Sequence, residues 1–475
     1  MKNTYTFIFS LISLISFSQI KLTSFPIELK RNAENHQMMN FVDENSNEIY
    51  TFVTDRETIT GIKLNSAVFV SDSLTALKPL NYINIIGYSF SANHSPILHW
   101  ITEDNKKMIS IEYDFSRNTK EYIATETKFF DENILTSFSN KGIFYIITDN
   151  DKNDLKLYEI GDENKISPLE TASLDFTTIE NNKIKISQIF DENPLARMEG
   201  DFYNPLMATA EKVKFYVDDN KVIFTFDLNR SKTEVLEIDL ESKTVSKKEY
   251  QQPTLENGAN QSNSYYLNQR LFQVKSNEKQ LFLSITDCKL NTILKKYSLS
   301  EKENPFIYSA FLIQTEQYKS ETIGSLKRFL RKIENSNLGF SIFPTNDSYI
   351  ASFGSNKTSA SSGGIAFGIG VGIGAAILVG TDFVNVGAFD NDRTQSVFLD
   401  FDLDANFDII STQNPILATN IISAFIAQND NIRLYQSFPY RDYFVLSGYN
   451  KKLKEIVLYK FQNDFNRNRS NLNHR

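Results

Sequence analysis

One pattern recurs along this chain and leaves few folds open to it. A run of four to six aromatic or β-branched residues meets a polar turn and then resumes as an alternating apolar pattern. It is seen in "IYTFVTDRETITGIKL" from Ile49, "ILHWITEDNKKMISIEY" from Ile97 and "IFYIITDNDKNDLKLYEI" from Ile143. It returns in "VIFTFDLNRSKTEVLEIDL" from Val222, "LFLSITDCKLNTILKKYSL" from Leu281 and "YFVLSGYNKKLKEIVLYKF" from Tyr443. Four copies open their turn alike, with Thr54-Asp55, Thr102-Glu103, Thr148-Asp149 and Thr286-Asp287. An Asp there accepts bonds from its own backbone and starts the turn. A further strand precedes most copies across a short polar break, such as "DENSNE" at Asp43 or "SNEK" at Ser276.

A unit of three or four antiparallel strands repeated along a chain with few helices is the pattern of a β-propeller. A seventh copy emerges if "SIFPTNDSYIASFG" from Ser341 and "SVFLDFDL" from Ser396 are halves of one unit split by an insertion. The expected fold is therefore all-β: a propeller of seven blades, each a three- or four-stranded meander, with a few inserted helices. Tandem β-sandwiches or two smaller propellers are the competing architectures. The units exceed the about 40–50 residues usual for a blade. The excess falls into insertions near 171–215, 301–338 and 355–394.

The first residues, "MKNTYTFIFSLISLISFSQ", combine a positive Lys2, an apolar core from Phe7 to Phe17 and a small-x-small site at Ser16-Phe17-Ser18. That pattern predicts a signal peptide over 1–18, cleaved before Gln19, and export to a periplasm or the cell exterior. One propeller domain would then span 19–463, followed by a polar tail over 464–475. Cys288 is the only cysteine, so no intramolecular disulfide forms. A chain of 475 residues buries enough surface to do without one. The net charge of −8 and the lack of a basic, aromatic-interleaved cluster argue against a nucleic-acid partner.

Candidate chemistry is sparse. "FLDFDLDANFD" puts Asp400, Asp402 and Asp404 on one face of a strand, where calcium could use them. Ala405 and Ser411 stand where an EF-hand-like loop needs Gly and Glu, so a solvated edge strand is the plainer reading. "DNDKND" at Asp149 reads as a hairpin turn. His94 and His99 form the one close histidine pair, but their spacing points them to opposite faces of a strand. No nucleophile elbow, phosphate loop or cofactor motif is present. "YKSETIGSLKRFLRKIENSN" from Tyr318 predicts a basic amphipathic helix with the stripe Ile323, Leu326, Phe329 or Leu330, and Ile333. Packing of that stripe on the host domain is expected. "FYNPLMATAEK" predicts a short helix with Asn204 as N-cap and Pro205 in its first turn.

The stretch "GGIAFGIGVGIGAAILVG", Gly363 to Gly380, carries no charge and seven of the 18 glycines. Its small residues recur every fourth position, while Ile365, Phe367, Ile369, Val371 and Ile373 alternate with them. Glycine costs a soluble helix about 1 kcal/mol per residue. A single membrane span would separate the two halves of the seventh unit. A collapsed hairpin extension is the expected form. The sharper alternative is a contact element, built on Gly364, Phe367, Gly368, Ile369 and Gly372, that touches a partner or a membrane surface. The functional expectation is a non-enzymatic interaction or scaffold module of the cell envelope, with an envelope protein or glycan as partner and no cofactor. The alternatives are a carbohydrate-active or other hydrolytic enzyme using the propeller channel, and an envelope structural protein contacting membrane through 363–380.

Overall fold

The computed structural model describes residues 20–30, 36–116, 124–129, 131–150, 154–160, 165–169, 176–178, 182–255, 258, 261–316, 319–357, 395–411 and 415–464. The expected signal peptide, the glycine stretch and the tail beyond Asp464 lie outside them.

Seven sheets of four or more strands follow one another along the described residues, beside one two-stranded hairpin. Their first strands are Gln37–Asp43, Tyr82–Phe90, Asn133–Asn140, Val213–Asp218, Gln261–Leu267, Asn337–Pro344 and Ile432–Tyr440. The aromatic runs legible in the sequence are mostly the second strands. In Ile143–Asp149 every residue after the first is buried, because neighbouring sheets cover both faces of the strand. Outermost strands such as Val70–Leu77 are largely exposed and carry no such run.

Hydrogen bonds link neighbouring sheets at their first strands from the seventh through the first to the sixth. Asn40 of the first sheet donates its backbone N–H to Gln436 of the seventh at 2.8 Å. Ile85 N donates to Gln37 Oε1 at 2.9 Å, and Ser139 Oγ donates to Tyr88 O at 2.6 Å. Asn140 Nδ2 donates to Asp219 O at 2.8 Å, Tyr266 N to the Tyr216 hydroxyl at 3.2 Å, and Asn263 Nδ2 to Leu338 O at 2.6 Å. The ring is closed by the N-terminal strand Ile20–Pro26, which pairs antiparallel with Glu455–Phe461 and completes the last sheet. Sheets bonded by their first strands around an axis, with the chain's two ends zipped into one sheet, make a β-propeller.

Apolar side chains fill the gaps between sheets. Phe52 and Trp100 pack between the first and second, Phe129 and Phe144 between the second and third, Phe215 and Phe224 between the third and fourth. Each such residue, fully buried, contributes about 1.5–3 kcal/mol. Helical insertions add to this packing on the sixth and on the seventh sheet. The helices among the described residues are α1 (Ile186–Glu192), α2 (Leu206–Thr209), α3 (Leu326–Glu334) and α4 (Ala418–Gln428). Helix α4 packs Ile421, Ile422 and Phe425 with Phe444 and Phe461 of the seventh sheet.

Three expectations need correction. The helix expected from Tyr318 begins only at Leu326, after a Ser325 cap; Lys319–Thr322 is a strand. Its residues Phe329, Leu330 and Ile333 are buried in the core of the fifth and sixth sheets, so the stripe faces inward as expected. The region near 301–338 is more than an insertion, because Leu312–Glu316 pairs with Gln395–Asp404 and extends the sixth sheet. The strand bearing Asp400 and Asp402 is therefore interior to its sheet and not an edge.

The two halves of the split unit pair directly, from Ser348 opposite Asp404 to Lys357 opposite Gln395. The segment containing the glycine stretch thus leaves and re-enters the ring at one hairpin of the sixth sheet.

Candidate functional site

The ring's axis is filled by the chain itself. Leu195–Met198 runs parallel to Val213–Asp218 on the side away from the rest of that sheet, which is the axial side. From there residues 199–209 cross to the sixth and seventh sheets. Ala196 and Met198 pack with Tyr216 and Tyr265, and Phe202 meets the Phe444 ring at 5.0 Å. Gly339 and Gly354 let α2 approach the sixth sheet, since a side chain at either would collide with Leu206 or Thr209.

Asn204 holds this plug. It does not act as the expected N-cap, a position taken by Pro205. Its amide nitrogen donates to Glu199 O at 2.9 Å, Phe202 O at 3.2 Å and the Tyr265 hydroxyl at 2.8 Å. Its side-chain oxygen accepts from Glu199 N at 3.0 Å, and its own carbonyl accepts from Ser341 Oγ. One fully buried residue thereby ties the plug to the fifth and sixth sheets.

The plug leaves a cavity of about 390 Å³ at the end of the axis where first strands turn into second strands. Its walls are Asn40 and Phe41, Gly87 and Tyr88, Ser137 and Ser139, and Ser437 to Arg441; its floor is Arg197, Glu199, Asp201 and Phe202. Strand alternation sends Arg197 and Glu199 to one side while Ala196 and Met198 point into the core. Arg197 Nε lies 2.7 Å from Glu199 Oε1, and its Nη1 donates to Ser137 O at 3.4 Å. Burial in the surrounding protein raises the Asp201 carboxyl above the ordinary carboxylate range. The Tyr88 ring stacks on Phe41 at 4.0 Å, and burial pushes its hydroxyl up to about 12. Glu199 is committed to Arg197, so the floor offers one carboxyl of altered affinity, and Glu44 also lines the cavity. Aromatic faces beside fixed polar groups suit binding.

Of the residues singled out from sequence, Gly364, Phe367, Gly368, Ile369 and Gly372 lie outside the described residues. Asp400, Asp402 and Asp404 share a strand face but separate in role. Asp400 accepts from Ser352 Oγ, while Asp404 Oδ1 accepts from the backbone of Asn406 and Asp408, both at 2.8 Å. Among the described residues no group of three or more metal-ligating side chains converges. His99 is wholly buried between Ser89 and Ser110, at 3.0 and 2.9 Å, and burial lowers it to about 3; His94 sits apart in an exposed turn. Sequence reasoning missed Arg197, Glu199 and Asp201. The one available signal was a mixed-charge segment, "LARMEGDFYNP", breaking the strand rhythm.

Asp400 yields a stability prediction. Burial, with Asp402 nearby, raises its carboxyl to about 6 from an ordinary 3.8. Because the folded-state value is raised, the group costs nothing below about pH 4, where both states are protonated; the loss of stability builds between pH 4 and 6 as only the unfolded chain ionises, and is complete above 6. Asp400→Asn keeps an acceptor for Ser352 and cannot ionise. Urea midpoints should rise by the equivalent of about 1–3 kcal/mol at pH 7.5 and converge with wild type at pH 4.

No protein-family model and no curated protein matches the chain. Solved structures similar to it include the WD40 domain of SCAP from fission yeast, at 9% identity and TM-score 0.30, covering 66% of this chain and 82% of that one. An uncharacterized protein from Listeria monocytogenes matches at 9% identity and TM-score 0.28, over 69% and 82% of the two chains. A putative exported protein from Bacteroides fragilis matches at 10% identity and TM-score 0.25, over 82% and 95%. At these scores the likenesses carry no functional residue across, and the fold stands on its own strand pairing.

Proposed function

We propose that the chain is an exported β-propeller serving as a non-enzymatic interaction or scaffold module of the periplasm or cell envelope. The observation that carries this reading is the occupied axis. A channel used for catalysis must admit substrate to converging catalytic groups. Here residues 195–209 fill the axis, and the best-placed carboxylate, Glu199, is bound to Arg197. Export is supported by the three-part N-terminal pattern, and no helix among the described residues is long and apolar enough to cross a membrane. The partner is an envelope protein or glycan, met at the aromatic rim or through the extension carrying Gly363 to Gly380.

The altered Asp201 carboxyl favours a second reading, a hydrolase working in the remaining cavity. One assay separates the two. Purified protein is offered glycoside, ester and peptide chromogenic substrates beside Asp201→Asn and Glu199→Gln. The module reading expects no turnover that either substitution removes. Turnover lost in either variant establishes the hydrolase.

A further inference from the structure

We propose that Lys212, in the wall of a second cavity, is a reactive amine that holds small hydroxylated aldehydes as reversible imines. The cavity measures about 550 Å³, within the range of small-molecule sites. It lies beside α1, where the first strands of the fourth and fifth sheets begin at Val213 and Gln261. Thr178, Gln188, Asn193 and Gln261 give its wall hydroxyl and amide groups, with Ile184 and Leu228 as the apolar side chains among the described lining residues. Such a wall suits a hydroxylated carrier better than an aromatic one.

Lys212 stands apart by its partner. Its Nζ donates to Ser262 O at 2.6 Å, and no carboxylate among the described residues lies within ion-pair distance of it. The neighbouring Lys214 is held instead by Asp227, at 3.0 Å, and that carboxylate also accepts from Ser264 and Thr233. A neutral amine can still donate to a carbonyl and keep its lone pair, whereas an ion pair would demand the ammonium. Charges of both signs surround the group, and imine formation needs no excess of either. Burial is the largest influence on it and favours the neutral form; Lys214 and Arg230 act with burial, Asp227 and Glu211 act against it, and the net lowers the amine to about 8. Lys183 and Glu192 also line the cavity. About a tenth of such an amine is neutral at pH 7, against about 3 in 10,000 at the ordinary 10.5. A desolvated lysine close to other cations is an activated nucleophile toward carbonyls. Its nitrogen attacks the aldehyde carbon and gives up two protons. The carbonyl oxygen leaves with them as water, and a carbon–nitrogen double bond remains. Water reverses the step, and neither direction consumes an oxidant or a reductant.

Reductive trapping on the whole, folded chain tests this. Glyceraldehyde is added with cyanoborohydride, which reduces any imine to a stable secondary amine, and mass spectrometry reads the rate at each lysine. At pH 7 Lys212 should be alkylated about tenfold or more faster than the exposed Lys296 and Lys451. That advantage should shrink about tenfold between pH 7 and 9, because an amine of lowered affinity is already neutral while an ordinary one is still losing its proton. Benzaldehyde, which carries no hydroxyl, should show a smaller preference for Lys212. Unfolding in urea should erase the preference altogether. Alkylation of Lys212 no faster than that of Lys451, an advantage unchanged from pH 7 to 9, or a preference that survives urea would overturn the proposal. A preference for Lys212 as large with benzaldehyde as with glyceraldehyde would overturn the hydroxylated assignment.

Discussion

Replacing Asp227 by alanine is expected to lower the unfolding free energy by about 3–5 kcal/mol, the cost typical of breaking one side of a buried ion pair. Asp227 and Lys214 meet at 3.0 Å with both side chains wholly buried. Without Asp227 the ammonium keeps only neutral acceptors, Glu211 O at 2.7 Å and Asn263 Oδ1 at 2.6 Å. Burial already pulls the Lys214 ammonium below its ordinary value, and Asp227 is what opposes that. The substitution also strips the acceptor from Ser264 and Thr233, loosening the junction of the fourth and fifth sheets. Lys214→Met should cost a similar amount by leaving the carboxylate unpaired. The double variant should cost less than the two single losses added together, because the charge left stranded by each single change is then absent. Urea unfolding of the four proteins measures this directly. Additive losses would show that the pair is not coupled.

Asn204→Ala is expected to cost about 2–4 kcal/mol, since it removes side-chain hydrogen bonds from buried groups that have no water to turn to. Glu199 N, Glu199 O, Phe202 O and the Tyr265 hydroxyl all lose a partner together. The loss should fall on the plug, because the side chain's bonds serve that segment and its contact with the fifth sheet. Thermal unfolding should show the global loss. Exchange within 195–209 should rise more than exchange in the sheets.

Much of the fold was legible because second strands are buried on both faces. That burial demands runs such as "IFYIIT", and six of them, with the split unit, imply seven sheets. The Asx turns were also readable: Asp55 Oδ1 accepts from the backbone of Glu57 and Thr58 at 2.8 and 2.7 Å, and Asp287 Oδ1 from Lys289 and Leu290 at 2.8 and 2.9 Å. What stayed hidden depends on long-range pairing. Lys214 in "VKFYV" reads as a solvent-facing position of an alternating strand, and only a partner from another strand makes its burial tenable. Helix α4, "ATNIISAFIAQ", exposes only Asn420, Ala427 and Gln428, none of them charged, so its sequence lacks the polar contrast that marks a surface helix. The plug was illegible for a related reason. Arg197, Glu199 and Asn204 look like loop residues until the ring places sheets on every side of them.

The account rests on an axis filled by the chain's own residues, and amide hydrogen exchange over 195–209 tests that most directly. The hydrogen-bonded amides there, Glu199, Thr209 and the strand Leu195–Met198, should be protected to the same order as the first strands around them. Exchange at the rate of an exposed loop would mean an open channel, and would contradict both the plug and the non-enzymatic reading built on it.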